Sequence, residues 1–187
     1  MNVRRKAEMM VAIGVVLVVG LLALPTPLLA SPEDNGATAL LRDANGNPVG
    51  VVKLTQDEDG GVLVRVVVHD LTPGFHGFHV HAIGACTPPS FTSAGGHFNP
   101  TSQSHPSHAG DMPVLLVNSD GTGEARFKTG RYTLTQLFDA DGSAIIIHAL
   151  PDNYANIPSR YIASPDATTL ATGDAGGRAA CGVIQSH

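Results

Sequence analysis

Residues 49–68 read VGVVKLTQDEDGGVLVRVVV, and this stretch decides the fold. Two apolar runs, residues 49–54 and 62–68, flank the polar segment 57–61, which ends in two glycines. Glycine supplies the positive φ that tight connections need, and alternate valines from Val62 onward share one face of a strand. The stretch therefore predicts an antiparallel hairpin with one buried face.

The same rhythm of apolar runs and turns continues along the chain. With 21 Gly, 13 Pro and no Trp in 187 residues, the composition favours many short strands. Acidic segments at 57–59 and 139–142 lack the spacing and distal Glu of a calcium loop, so we interpret them as turns. We predict an all-β domain of about eight strands, the others at residues 37–41, 77–82, 112–117, 125–129, 145–148 and 180–184.

Two stretches interrupt this rhythm, residues 84–111 and 149–178. Both are rich in Gly, Pro, Ser, Thr and Asp. Loops of that length are uncommon inside a compact domain and are usually functional. We therefore look for the site in these two loops.

The first thirty residues form a separate segment. Arg4, Arg5 and Lys6 precede an uncharged apolar run from Met9 to Leu24. This order predicts an export signal cleaved after Ala30, and an uncleaved N-terminal membrane anchor is the alternative. The arginine pair also permits a twin-arginine interpretation, which no further residue supports. We expect a signal peptide or anchor at 1–30, a linker at 31–36, one domain at 37–187, and an exported protein.

Charge and cysteine content narrow the partners and the compartment. Without residues 1–30 the chain carries 8 basic and 15 acidic side chains, a net charge of −7, which makes nucleic acid an unfavourable partner. The only cysteines are Cys86 and Cys181. In an oxidising compartment we expect them to form a disulfide, and two buried free thiols are the alternative.

The histidines predict a metal site. His79 and His81 alternate along one strand, so both rings lie on the same face. Three more imidazoles and a carboxylate follow within fifteen residues, at His97, His105, His108 and Asp111. Nitrogen donors with one carboxylate suit Cu(II) and Zn(II) and argue against iron-sulfur or blue-copper chemistry.

Three motifs in order resemble the copper-zinc superoxide dismutases of the exported, bacterial type. They are GFHVH at residues 77–81, SAGGHFNP at 93–100 and GDAGGRAACGVI at 173–184, and the resemblance extends over residues 37–187. It implies an eight-stranded antiparallel Greek-key β-barrel, or sandwich, with two long functional loops.

The resemblance also implies the metal ligands, with one copper ion and one zinc ion per subunit. His97 would be shared, and its ring would lose both nitrogen protons to bind two cations. The implied copper ligands are His79, His81, His97 and His148, and the implied zinc ligands are His97, His105, His108 and Asp111.

The family resemblance also implies roles for residues that do not bind metal. Asp152 would hydrogen-bond one copper ligand and one zinc ligand, as metal-bound imidazoles commonly require. His76 would bond to backbone near the site, whereas His69 and His187 have no counterpart and are expected at the surface. The insertion at residues 87–91 lengthens the first loop and is expected to affect a subunit contact.

Arg178 and His97 are the predicted catalytic residues. Arg178 would attract the superoxide anion to a domain that is negative overall. Thr172 would line the substrate channel. Ala171 stands where many relatives have a lysine that attracts superoxide, so we expect the electrostatic guidance of superoxide to be weaker or to come from another residue.

The function implied is dismutation of superoxide to molecular oxygen and hydrogen peroxide, in antioxidant defence outside the cytoplasm. A homodimer is a further expectation. Two alternatives are a non-catalytic copper or zinc carrier on the same barrel and an adhesive β-domain. A carrier should lack a copper ligand or Arg178, and an adhesive domain leaves the histidine cluster unexplained.

Overall fold

Nine strands form one curled antiparallel sheet and a small second sheet in this computed structural model, which describes residues 36–187. Short helices occur at Thr92–Ala94, Leu134–Phe138 and Thr169–Thr172. The strands are β1 (Gly36–Asp43), β2 (Pro48–Gln56), β3 (Val62–Val68), β4 (Gly74–His76), β5 (Phe78–His81), β6 (Leu115–Val117), β7 (Gly123–Thr129), β8 (Ala144–His148) and β9 (Arg178–Ser186).

The larger sheet has the order β5-β8-β9-β1-β2-β3-β7, and the smaller one pairs β4 with β6. Since β4 leads into β5 and β6 packs beside β7, the small sheet connects the two edges of the large one. The chain crosses from β7 at one edge to β8 near the other. The expected all-β Greek-key β-barrel is confirmed.

One short strand was not predicted. The sequence indicated eight strands, and the structure adds β4, which pairs with β6 through Phe75 and Leu116. Both side chains are about half exposed, and Pro73-Gly74 is typical of a turn. The sequence therefore lacks the alternation of apolar and polar residues that would predict this strand.

The hairpin at residues 49–68 forms as expected. Val62, Val64 and Val66 are fully buried on one face of β3, while Arg65 and Val67 on the other face are exposed. The core that these valines join fills the barrel with Leu41, Leu54, Phe78, Val80, Leu115, Ile145 and Ile147.

Every residue of β5 and of β8 is buried, because both faces of these strands are covered. Phe78 and Val80 point into the barrel. On the outer face of β8, Ile146 packs in a second apolar cluster with Phe91 and Cys181, which the first long loop supplies in part. The outer face of this corner is therefore an interior environment.

The predictions for residues 1–30 and for most of the linker fall outside the described residues. Within residues 36–187 no helix has the length and apolar character to cross a membrane. The described residues, 36–187, form a compact unit with a core of their own.

The predicted disulfide is confirmed: Cys86 in the first long loop is bonded to Cys181 in β9, with 5.7 Å between the Cα atoms. The bond joins residues 95 positions apart, and no free cysteine remains in the described part of the chain. It ties the loop to the barrel beside the buried outer face of β8.

We expect the double variant Cys86→Ala/Cys181→Ala to lose about 4–5 kcal/mol of unfolding free energy, because closing so long a loop restricts the unfolded chain. Urea unfolding of the metal-free proteins measures the loss. The reduced wild type is the control and should match the variant; an unchanged free energy in both would contradict the expectation.

Candidate metal centre

The two histidines of β5 point away from the barrel core. Side chains alternate along a strand, so His79 and His81 face outward while Phe78 and Val80 face inward. Both rings are buried nevertheless, with 0% and 1% exposure, because the long loops cover them. Two imidazoles are thus held side by side in a dry environment.

The first long loop pairs with the free edge of β5. Val80 N–H donates to Gly110 O and its carbonyl accepts from Phe98 N–H, both at 2.9 Å. Isolated bridges consequently place His79 opposite Asp111 and His81 opposite His97. A Cβ at Gly110 would lie 2.3 Å from Val80 O, so only glycine allows this approach.

Seven side chains form two donor sets that share His97. In each set one nitrogen or carboxylate oxygen per residue lies within 4.8 Å of the others. The first set takes His79 and His81 from β5, His97 from the loop and His148 from the end of β8. The second is His97, His105, His108 and Asp111, all from the loop and its end.

Hydrogen bonds to the protein fix which ring nitrogen faces each donor set. His81 Nδ1 donates to Gly95 O at 2.9 Å and His148 Nδ1 to Gly176 O at 3.2 Å. Their Nε2 atoms then face each other at 3.3 Å. His97 Nδ1 and His108 Nδ1 approach similarly, at 3.2 Å. Such convergence of nitrogens is the geometry expected around a cation.

Two orphaned nitrogens show that the donor sets fit metal ions. His79 Nδ1 and His105 Nδ1 are buried without a hydrogen-bond partner, two of three such side-chain atoms within residues 36–187. His105 Nδ1 lies 3.1 Å from Asp111 Oδ2 without hydrogen-bond geometry. An unsatisfied buried polar atom costs about 1–3 kcal/mol, which a bound cation would remove.

Asp152 links the two donor sets. Its carboxylate accepts from His79 Nε2 at 2.7 Å and from His105 Nε2 at 2.8 Å, one residue from each set. This is the arrangement that the family resemblance implies. Both bonds leave the Nδ1 atoms of the two rings directed at the metal positions.

Gly173, which the sequence analysis did not single out, makes room for this link. A Cβ there would lie 2.1 Å from Asp152 Oδ1 and 2.5 Å from His105 Nε2. Its φ is +59°, a conformation that favours glycine. The glycine-rich segment that follows Thr172 was the available signal.

Burial sets the charge of the first donor set. Removal from water lowers the pKa of His79 to about 4 and that of His148 to about 3, and it lowers the pKa of His81 well below its usual value. The positive charge of Arg178 contributes further for His81 and His148. These rings are neutral near pH 7 and ready to bind a cation.

The second donor set is electrostatically different. Burial lowers the pKa of His105, but the negative charges of the adjacent Asp111 and Asp152 carboxylates outweigh it and raise that pKa to about 9. Burial raises the pKa of both carboxyl groups, and their histidine partners then hold it well below its usual range. Without metal, a protonated His105 lies between two carboxylates, a place suited to a divalent cation.

Arg178 begins β9 beside the first donor set. Its guanidinium donates to Phe91 O and Gly95 O, and Gly95 O also accepts from His81 Nδ1. The charge is therefore fixed by the same loop that positions His81. The side chain is half-buried, and burial lowers its pKa.

The remaining predicted residues are placed as follows. Thr172 ends the short helix, where its hydroxyl donates to Thr168 O at 2.8 Å, and the neighbouring Ala171 is exposed. His76 bonds to backbone, with Nδ1 2.6 Å from His148 O. His69 and His187 are exposed.

Arg131 is a further residue that the sequence analysis missed. It follows β7, and its Nη1 donates to Pro106 O at 2.7 Å and to His108 O at 3.1 Å. These carbonyls belong to the segment that carries His105 and His108. An arginine after a strand gives no local signal of this contact.

The fold and the site define a Greek-key β-barrel protein that can hold two metal ions around one shared histidine. Residues 49–184 match the family model described as copper/zinc superoxide dismutase. The chain belongs to that family, and it is accordingly a superoxide dismutase that uses copper and zinc.

Individual relatives support the same family assignment. The copper-zinc superoxide dismutase of Mycobacterium tuberculosis is 39% identical over 175 residues, covering 83% of this chain and 72% of that protein. Its counterpart in Mycolicibacterium paratuberculosis is 39% identical over 178 residues, covering 87% and 74%. The crystal structure of a SOD-like protein from Bacillus subtilis has a TM-score of 0.64 at 32% identity and covers 78% of this chain and 96% of that one.

We expect Asp152→Asn to weaken zinc binding about 10- to 100-fold, because the amide cannot accept from both rings while keeping their Nδ1 atoms directed at the metals. Competition with a chelator measures the change. Asp166→Asn is the matched control, since this loop carboxylate bonds only locally, to Thr169 N. Equal zinc affinities of the two variants would contradict the expectation.

We expect Arg131→Met to weaken zinc binding about 10-fold and to leave copper binding within about twofold, because Arg131 supports only the segment of the second donor set. The absorption spectrum of cobalt bound in place of zinc should change as well, and Arg131→Lys should recover part of both properties. Arg160→Met is the control. Wild-type zinc affinity and cobalt spectrum in Arg131→Met would exclude this positioning role.

Proposed function

We propose that the first donor set holds the copper and the second holds the zinc, with His97 bridging them. The observation that carries this assignment is the shared ring: His97 Nδ1 lies among the ligands of the second set, 2.7 Å from Asp111 Oδ1. A nitrogen of the same ring also lies within 4.8 Å of nitrogens of His79, His81 and His148, the other members of the first set. The second set offers four protein ligands, which suits a closed structural zinc site.

Copper, when bound, can take an electron from one superoxide and give it to another, which balances as two superoxide ions and two protons yielding oxygen and hydrogen peroxide. The protein must deliver the protons. His97 Nε2 can hold one whenever it carries no metal, while Nδ1 stays with the second set. His97 is the ligand that both donor sets share, so its ring is the one placed to exchange a proton while it keeps one metal bound.

Arg178 is proposed to guide the substrate. Superoxide is an anion, and residues 36–187 carry more acidic than basic side chains, so a fixed positive charge beside the copper set matters. The two carbonyl acceptors hold this guanidinium in place before substrate arrives. Ala171 supplies no second charge, and Thr172 is proposed to line the approach.

Export and antioxidant defence outside the cytoplasm complete the proposal. The apolar run from Met9 to Leu24 supports export, and the Cys86–Cys181 disulfide supports an oxidising compartment. Retention of the N-terminal segment as an anchor and formation of a homodimer stay predictions.

We expect residues 31–187, loaded with one copper and one zinc, to remove superoxide in a pulse-radiolysis assay. Arg178→Met should retain both metals and lose about 10-fold in kcat/KM, together with most of the ionic-strength dependence, because its charge attracts the anion. Arg160→Met removes the same charge elsewhere and should change little. A fully metallated protein without activity would overturn the proposal, and an unchanged Arg178→Met would overturn the guiding role.

A further inference from the structure

Three cations stand in one row across the outer face of the large sheet. Lys53 on β2 pairs with Arg65 on β3, and Arg65 pairs with Arg126 on β7. All three side chains are exposed, because Val52 and Val64 of the same strands point into the core. Directly opposite residues on neighbouring strands have Cβ atoms about 5 Å apart, so the charges are close. We refer to Lys53, Arg65 and Arg126 as the basic row.

The basic row has no partner of opposite sign among residues 36–187, where none of its nitrogens lies within 4.0 Å of a carboxylate. Lys128, two residues beyond Arg126 on the same face of β7, does pair with Asp57 and Asp59. Glu124 lies on the other side of Arg126 and forms no ion pair. Like charges placed directly opposite destabilise a sheet, so this row is an unfavourable arrangement for folding alone.

The arrangement also stands out against the overall charge. Residues 36–187 contain eight Lys and Arg residues, and three of them gather in this one row of a domain with excess acid. The adjoining row on the same face is apolar in part: Leu40 is 61% exposed and Val67 is 38% exposed. The face therefore combines positive charge with apolar contact.

A cavity marks the centre of the face. It has a volume of about 290 Å³ and is lined by Val51, Lys53, Arg65 and Val67. Two cations and two valines around one depression suit a phosphate group attached to an apolar body. Lysine and arginine bind phosphate through charge-assisted hydrogen bonds.

The chain enters the barrel at this face. β1 starts at Gly36, which pairs with Thr55, two residues along β2 from Lys53. Residues 25–35 connect that point to the apolar run ending at Leu24, a span of at most about 35–40 Å when extended. If the apolar segment is retained in a bilayer, a connection of this length is long enough for the basic row to reach the bilayer surface.

We propose that the face carrying the basic row docks on a membrane surface rich in anionic phospholipid, with a lipid phosphate in the cavity between Lys53 and Arg65. A second copy of the chain would present the same positive row and be repelled. β5 and β8, which carry three of the four residues of the first donor set, lie at the opposite end of the sheet order from β2 and β3, so docking leaves that set open. The proposal rests on the proposed export and not on the metal assignment.

Sedimentation of residues 31–187 with lipid vesicles tests the docking without the apolar N-terminus. We expect binding to vesicles that contain phosphatidylglycerol, release by salt, and no binding to pure phosphatidylcholine. The triple variant Lys53→Gln/Arg65→Gln/Arg126→Gln should lose about 100-fold in partitioning, since each cation near an anionic surface contributes roughly fivefold.

A matched pair of double variants provides the control. Lys53→Gln/Arg65→Gln removes the two cations that line the cavity and should lose about 25-fold in partitioning, whereas Arg42→Gln/Arg160→Gln removes two exposed charges outside the basic row and should bind almost as the wild type does. Equal losses in these two double variants, or equal binding to both lipids, would overturn the proposal. So would tighter binding to a short DNA duplex than to the anionic vesicles. Dismutase activity should be unchanged in the basic-row variant, which separates failure of docking from failure of the proposed function.

Discussion

The site depends on one backbone interaction, the pairing of the first long loop with the free edge of β5. Val80 bonds to both Phe98 and Gly110, and this fixes the loop alongside the strand. His97 and Asp111 are then carried to positions opposite His81 and His79. Without it, the Cys86–Cys181 disulfide would still attach the loop to the barrel, but His97 and Asp111 would lose their register with β5.

Burial determines the protonation state of the histidines that this pairing brings together. The outer faces of β5 and β8 lie under two loops, so His79, His81 and His148 stay neutral and can bind a cation without first losing a proton. The same loops supply the supporting contacts, since Asp152 bonds to both sets and Gly95 O joins His81 to Arg178. Metal binding, loop position and anion guidance are therefore coupled through a few hydrogen bonds.

Much of the fold and the ligand set could be predicted because both follow local rules. The alternation of valines in β3 and of histidines in β5 indicates strands and faces directly, and the family motifs supplied the roles of His148 and Asp152. Residues that act through distant contacts gave no such signal. Arg131 reaches carbonyls more than twenty residues away. Gly173 is required because Asp152 and His105 occupy the space beside it and because its φ is positive. The strand at Gly74–His76 was missed because half-exposed side chains show no pattern.

The central claim is that two metals share His97. Crystals of the metallated protein, measured by anomalous X-ray scattering at the copper and zinc absorption edges, test it most directly. We predict copper among His79, His81, His97 and His148, and zinc among His97, His105, His108 and Asp111, with one nitrogen of His97 bound to each metal. Zinc and copper in separate sites without a common ligand, or both metals mixed in one site, would contradict it.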